Sequence, residues 1–193
     1  MTFTIKHAEQ LSRGELLLRS FFGWLYIFVP HGFVLLFVGL WGGILAFISF
    51  WVILFTGRYP QSFFEYQVGL INWEVRLNAR LYNMEDGYPA FGINAKDDAV
   101  SVEIPYPETL SRGLLLVKLF FGFIYVLIPH GFVLFFLSIA FVVCWFIGWW
   151  AILFTGKLPL GFHTFMTGYL RWSTRVRIYI QNMTDTYPPF SLD

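Results

Sequence analysis

The chain has 193 residues, 57% of them hydrophobic and only 13% charged, with a formal net charge of +1. A soluble domain carries about a quarter charged residues, so this composition excludes one, and near-neutrality gives no electrostatic basis for a nucleic-acid partner. The remaining class is an integral membrane protein.

Met1 to Gln10 is polar and alternating, without the basic start, short apolar core and small-residue cleavage site of a secretory signal, so the apolar run behind it is expected to stay in the mature protein. That run begins after Leu11-Ser12-Arg13-Gly14, and no Asp, Glu, Lys or Arg occurs between Arg19 and Arg58. It is about twice the ~20 residues that one spanning helix needs. Pro30 followed by Gly32 is a natural break. The spacing therefore predicts a hairpin of two helices, about 14–29 and 31–55, with Pro30-His31-Gly32 as its turn. Thr56-Gly57 supplies a C-terminal glycine and Pro60 prevents continuation. Beyond it, Phe63, Leu70, Trp73, Leu77, Leu81 and Met84 recur at helical spacing with Arg76 and Arg80 off the stripe, which predicts an amphipathic surface helix over about 61–84. A strand at 74–82 competes with it, because Arg76 to Leu81 also alternates. Asp86, after Asn-Met and before Tyr-Pro, reads as a turn residue. Asn94 to Ala99 is a polar joint.

The rest of the chain repeats this. At an offset of 99 positions, Pro129-His130-Gly131-Phe132-Val133-Leu134 restates Pro30 to Leu35, and Tyr187-Pro188-Pro189-Phe190 meets Tyr88-Pro89-Ala90-Phe91. Such self-similarity marks an internal duplication. Even Thr2 to Ile5 resembles Ser101 to Ile104, both short stretches of strand character. The repeats are residues 2–94 and 100–193, and the second is expected to hold helices at about 113–128 and 130–154 and a surface helix at about 160–183, with the same strand alternative at 173–181. The expected fold is an all-α integral membrane protein of two tandem repeats. Each is a transmembrane helical hairpin, its first helix spanning or re-entrant, followed by an amphipathic cytoplasmic surface helix. In that arrangement all 13 Lys and Arg residues fall on one side. The positive-inside bias then makes the protein multi-pass with both termini cytoplasmic. Cys144, the one cysteine, reads as a packing residue.

Leu-Ser-Arg, an apolar run with Pro-His, Phe55-Thr56-Gly57-Arg58-Tyr59-Pro60, Arg171-Trp172 with Arg175-Val176, and Tyr187-Pro188-Pro189-Phe190 together resemble the bacterial membrane-protein family called domain of unknown function 4389. The resemblance covers almost the whole chain, once per repeat. The first copy departs from it at Asn72 and Ala90, where the second has Arg171 and Pro189. It implies a bacterial inner (cytoplasmic) membrane protein and carries over no catalytic residue.

Candidate sites are few. His31 and His130 stand out in the apolar runs, and paired imidazoles from facing helices are a usual way to hold haem iron. They are remote candidates for haem or quinone, since a histidine beside a proline break also serves to satisfy freed backbone groups. Arg13, Arg19, Arg76, Arg80, Arg112, Lys118, Arg171, Arg175 and Arg177 are candidates for contact with lipid headgroups or a partner. No nucleophile-base pairing, phosphate loop or metal-spaced cluster occurs, so no enzyme activity, cofactor or metal is expected. The expected function is that of a non-catalytic scaffold or accessory subunit of a larger membrane complex. The alternative is lipid binding or handling, and the expected partners are membrane lipids and other membrane-protein subunits.

Overall fold

The computed structural model describes all residues from Met1 to Asp193. In chain order the elements are β1 (Thr2–Ile5), α1 (Arg13–Thr56), α2 (Gln61–Leu81), β2 (Val100–Glu103), α3 (Arg112–Thr155) and α4 (Leu160–Ile180). The chain is thus helical, four helices in two repeated halves, apart from one two-stranded ribbon.

The hairpin expected at Pro30-His31-Gly32 is not there. α1 is continuous for 44 residues, about 66 Å at 1.5 Å per residue. A proline inside a helix lacks an amide donor, and its ring collides with the carbonyl four residues back. The chain avoids both problems by widening one turn. Trp24–Phe28 forms a π-turn in which the Val29 amide reaches the Trp24 carbonyl, and in α3 the Ile128 amide reaches Phe123 across Phe123–Leu127. The Tyr125 carbonyl, four residues before Pro129, accepts the Tyr187 hydroxyl at 2.9 Å instead. Gly131, with open space where a Cβ would stand, is not needed for any bend.

The true reversal is the stop read at Gly57. Gly57 and Gly156 take left-handed backbone (φ 72° and 74°) and donate back to Ile53 and Ile152, and Pro60 or Pro159 caps the next helix. α2 then returns antiparallel along α1. The Tyr66 hydroxyl donates to the Val38 carbonyl at 2.8 Å, the Gln67 amide to Gly42 at 2.6 Å, and the Trp73 indole to His31 Nδ1 at 2.8 Å. Gly42 permits this approach, since a Cβ there would stand 3.0 Å from Leu70. The hairpin closes where Asp86 accepts from the Ser12 amide, at the N-cap of α1, and from Arg19. Asp185 accepts from Ser111 in the same way.

Both α2 and α4 are helical throughout, which removes the strand alternative at 74–82 and 173–181. Neither is a surface helix. Leu70, Trp73 and Leu77 are buried, as are Arg76 and Arg80 on the polar side. The apolar stripe was legible, but its partner is α1, and the other side is covered by β2 and the segment before it. There the Asn72 side chain donates to the Val102 carbonyl and accepts from the Val102 amide.

The halves are related by an approximate two-fold axis. β1 and β2 pair antiparallel with Phe3 opposite Val102, equivalent positions of the two repeats, so the axis passes through the ribbon. The Leu11 amide donates to the Gly156 carbonyl and Leu110 to Gly57, two bonds that the same exchange interchanges. The start of each long helix therefore meets the end of the other, α1 and α3 run antiparallel, and the ribbon lies over their mid-length. The molecule has three layers: α1 with α3, then α2 with α4, then the ribbon. Both chain ends lie in the third layer, because Arg171 donates both to the Phe3 carbonyl and to Leu192.

Replacing Trp73 with Phe leaves His31 Nδ1 buried without its donor. The expected cost is about 1–3 kcal/mol, read as a lower unfolding midpoint in detergent, with a similar loss for Trp172→Phe. An unchanged midpoint would show that this bond does not hold α2 to α1.

Candidate functional site

The face of α1 opposite α2 is apolar from Leu17 to Phe55. Along it Phe33, Phe47 and Phe55 are 64%, 65% and 72% exposed, whereas His31, Leu45, Ser49 and Ile53 on the inner side are buried. α3 repeats the pattern with Phe132, Phe146 and Phe154 outward and His130 and Ile152 inward. Contiguous apolar surface on this scale marks an interaction site. α1 and α3 are each long and apolar enough to cross a membrane.

The basic residues predicted to grip lipid are mostly engaged within the chain. Arg19 donates to the Glu85 carbonyl and pairs with Asp86 at 2.9 Å, and Arg80 pairs with Asp97 at 2.8 Å. Arg76 donates to the carbonyls of Gly92 and Ala95, Arg171 to those of Phe3 and Leu192, and Arg175 to those of Ser191 and Asp193. Lys118 donates to the Thr184 carbonyl and lies 4.0 Å over the Tyr179 ring, while Arg177 bridges the repeats to Glu74. Arg13 is exposed and donates to the Phe154 carbonyl at the end of α3. Arg112 is exposed beside Gly57. These cations tie helix to loop and repeat to repeat, and Arg13 and Arg112 are the two of the set that also face outward.

His31 and His130 are each held within their own repeat. Each Nδ1 accepts an indole N–H, from Trp73 or Trp172, which leaves the proton of the neutral ring on Nε2. Phe91 and Tyr88 lie 4.8 and 5.1 Å from the His31 ring, and Phe190 stacks on His130 at 4.0 Å. The Tyr-Pro-x-Phe motif is therefore the lid over each histidine. With both rings walled in by aromatics, the shared ligation of one haem iron, or stacking of a quinone on a free ring face, is not what this geometry provides. Asp86 and Asp185 are structural, closing the hairpins as described.

Between the first turns of α1 and the last turns of α3 lies a cavity of about 570 Å³, lined by Trp24, Phe28, Trp145, Phe146, Trp149 and Trp150 around Arg19, Ser20, Gly23, Leu81 and Asn83. The four aromatics of α3 fall close together in the second apolar run of the sequence. The cavity was not visible, because it depends on the antiparallel approach of α1. One sequence signal bears on it: Trp145 and Trp149 correspond to Ala46 and Phe50 in the first repeat.

A family model matches twice, at residues 17–92 and 115–191, with the description "Domain of unknown function (DUF4389)". The chain belongs to this family and contains two tandem copies of its domain. No curated protein and no solved structure matches it.

One titratable group in the second layer has a readable consequence. His163 of α4 is buried with its edge against His7, ring centroids 5.0 Å apart. Burial, followed by the His7 charge, lowers its pKa from 6.5 to about 4. Protons then bind the unfolded chain more readily than the folded one, so this contribution is full above about pH 6.5 and is lost as pH falls toward 4. The unfolding midpoint of the wild type is expected to drop between pH 7 and 5, and to drop less in His163→Leu. Equal slopes would show that this group does not govern the acid response.

Proposed function

We propose that the protein is a non-catalytic scaffold or accessory subunit seated in one leaflet of a membrane, the bacterial inner membrane that its family resemblance implies. Its α1 and α3 layer faces the lipid, and its ribbon and both termini face the cytoplasm. The observation that carries this reading is the position of the ribbon. The two-fold axis places it over the mid-length of α1 and α3, with Glu103, Lys96 and Asp98 exposed close by. Long helices set along the membrane normal would bring those charges to the bilayer midplane, each at a cost of about 2.5–3.5 kcal/mol or more. They would also bring open strand edges there, which hydrocarbon does not tolerate. Seated flat, the apolar face from Leu17 to Phe55, about 57 Å measured along the helix, has no mismatch with a core about 30 Å thick. A helix about 10–12 Å across fits within one leaflet. This replaces the hairpin topology, whose far-side turn the structure lacks.

The scaffold reading rests on the breadth of the apolar face, which suits other membrane proteins as well as lipid. Lipid handling is the second reading, favoured by the cavity between the repeats.

On a Cys144→Ser background, single cysteines at Arg58, Lys157 and Glu103 report the seat. The first two stand at opposite ends of the long-helix layer. An impermeant maleimide is expected to label all three from the same side of sealed vesicles. Labelling of Arg58→Cys and Lys157→Cys from opposite sides would overturn the one-leaflet seat. The scaffold reading is tested separately by gentle extraction from native membrane. A stoichiometric complex with another membrane protein is expected, and a lone protein at its own mass would remove that reading.

A further inference from the structure

The cavity between the repeats has features that simple crowding of aromatics does not explain. Its walls are indole and phenyl rings, and the Trp149 indole donates to the Ser20 hydroxyl at 2.7 Å across one edge. Its floor is polar. Arg19 is 8% exposed and spends its two terminal nitrogens on Glu85 and Asp86, but its Nε–H has no partner. Asn83, 4% exposed, likewise holds an Oδ1 without a donor. Buried polar atoms are normally satisfied; these two lie beneath the cavity surface, and the equivalent Asn182 Oδ1 of the second repeat is likewise without a donor.

The two halves differ at this place. In the second, Ile180 packs over Gly122, 3.6 Å from where a Cβ would stand, and Tyr179 covers Lys118. In the first, the side chain near the Cβ position of Gly23 is that of Arg19, and the residue at the place of Tyr179 is Arg80, which turns away to Asp97. The first half thus leaves open a space that the second half fills, and α3 contributes Trp145 and Trp149 where α1 has Ala46 and Phe50.

We propose that this cavity is a binding site for one acyl chain of a lipid-like amphiphile, its methylenes lying against the indole and phenyl rings. The volume and the apolar lining with a few convergent polar groups are those of a small-molecule site. The orientation follows from the one-leaflet seat, on which the inference rests. The rings are partly exposed on the lipid side, Trp24 at 62% and Phe146 at 60%, while Arg19 and Asn83 stand toward the α2 layer. A chain of a lipid in the same leaflet enters laterally between the rings, while its headgroup stays in the headgroup layer outside the cavity.

The test reconstitutes the full chain in vesicles with either a diazirine-bearing palmitic acid or a phosphatidylglycerol carrying the same diazirine chain, and maps the crosslinks by mass spectrometry. Crosslinks are expected to concentrate at Trp145 to Trp150 and Trp24. They should fall about tenfold, the equivalent of roughly 1.4 kcal/mol of affinity, in Gly23→Leu, which fills the cavity. They should persist in Gly43→Leu, whose Cβ meets open space. Trp145→Ala, which copies the first repeat, is expected to weaken them as well. Capture of the phospholipid alone identifies a leaflet lipid, capture of the acid alone a free fatty acid, and either supports the site. Crosslinks spread evenly over Phe33, Phe132 and the rest of the outer face, unaffected by Gly23→Leu, would overturn it. That outcome would still show a lipid-facing layer, so failure of the cavity is distinguishable from failure of the seat, which the cysteine labelling reads.

Discussion

A proline in the middle of a long apolar helix deprives one carbonyl of its donor, and the architecture depends on how that deficit is absorbed. If the chain reversed there, each repeat would be a short membrane hairpin. Because it widens a single turn instead, α1 and α3 keep their full length, and the only sharp reversals are at Gly57 and Gly156. Length in turn dictates partnership. A 44-residue helix cannot cover itself, so α2 lies along its inner side through Tyr66, Gln67 and Trp73, and its outer side is left bare.

What was legible in the sequence is what depends on nearby residues. The glycine stop, the proline that follows it, the helical stripes and the duplication are all local or periodic, and all appear in the structure. The bend predicted at Pro30 failed because a helix can absorb a proline by widening one turn, here Trp24–Phe28, and residue type alone does not separate that outcome from a reversal. The stripe on α2 fixed which side is apolar without saying whether lipid or protein would meet it. The basic residues misled for a related reason. Counting charges by side assumes that they face headgroups, whereas Arg76, Arg171 and Arg175 point into backbone carbonyls of loops and tail, and carbonyls leave no mark in a sequence.

Duplication has kept the frame and released the detail. The paired features, namely indole to imidazole, aspartate to N-cap, and the bonds at Gly57 and Gly156, are shared and hold the layers together. The unpaired ones cluster where the halves meet laterally. Asn72 and Arg171 both reach the ribbon backbone but with different chemistry, and Tyr179 and Ile180 fill what Arg80 and Leu81 leave open. The proposed acyl site is one of these divergences, and the proposed seat in one leaflet is what the shared frame supports.

The ribbon has a temporal consequence. β1 is made first, yet its partner β2 belongs to the start of the second repeat, and the Leu11 amide waits for Gly156, near the end of the last long helix. The first repeat emerging from a ribosome is thus incomplete by itself, with its leading strand unpaired until its twin is synthesised. The contacts that finish it are reciprocal between equivalent positions, which is the pattern of an isologous dimer. Severed at the joint near Lys96, the two halves would present each other with matching edges, and the intact chain amounts to a dimer whose assembly has been made intramolecular.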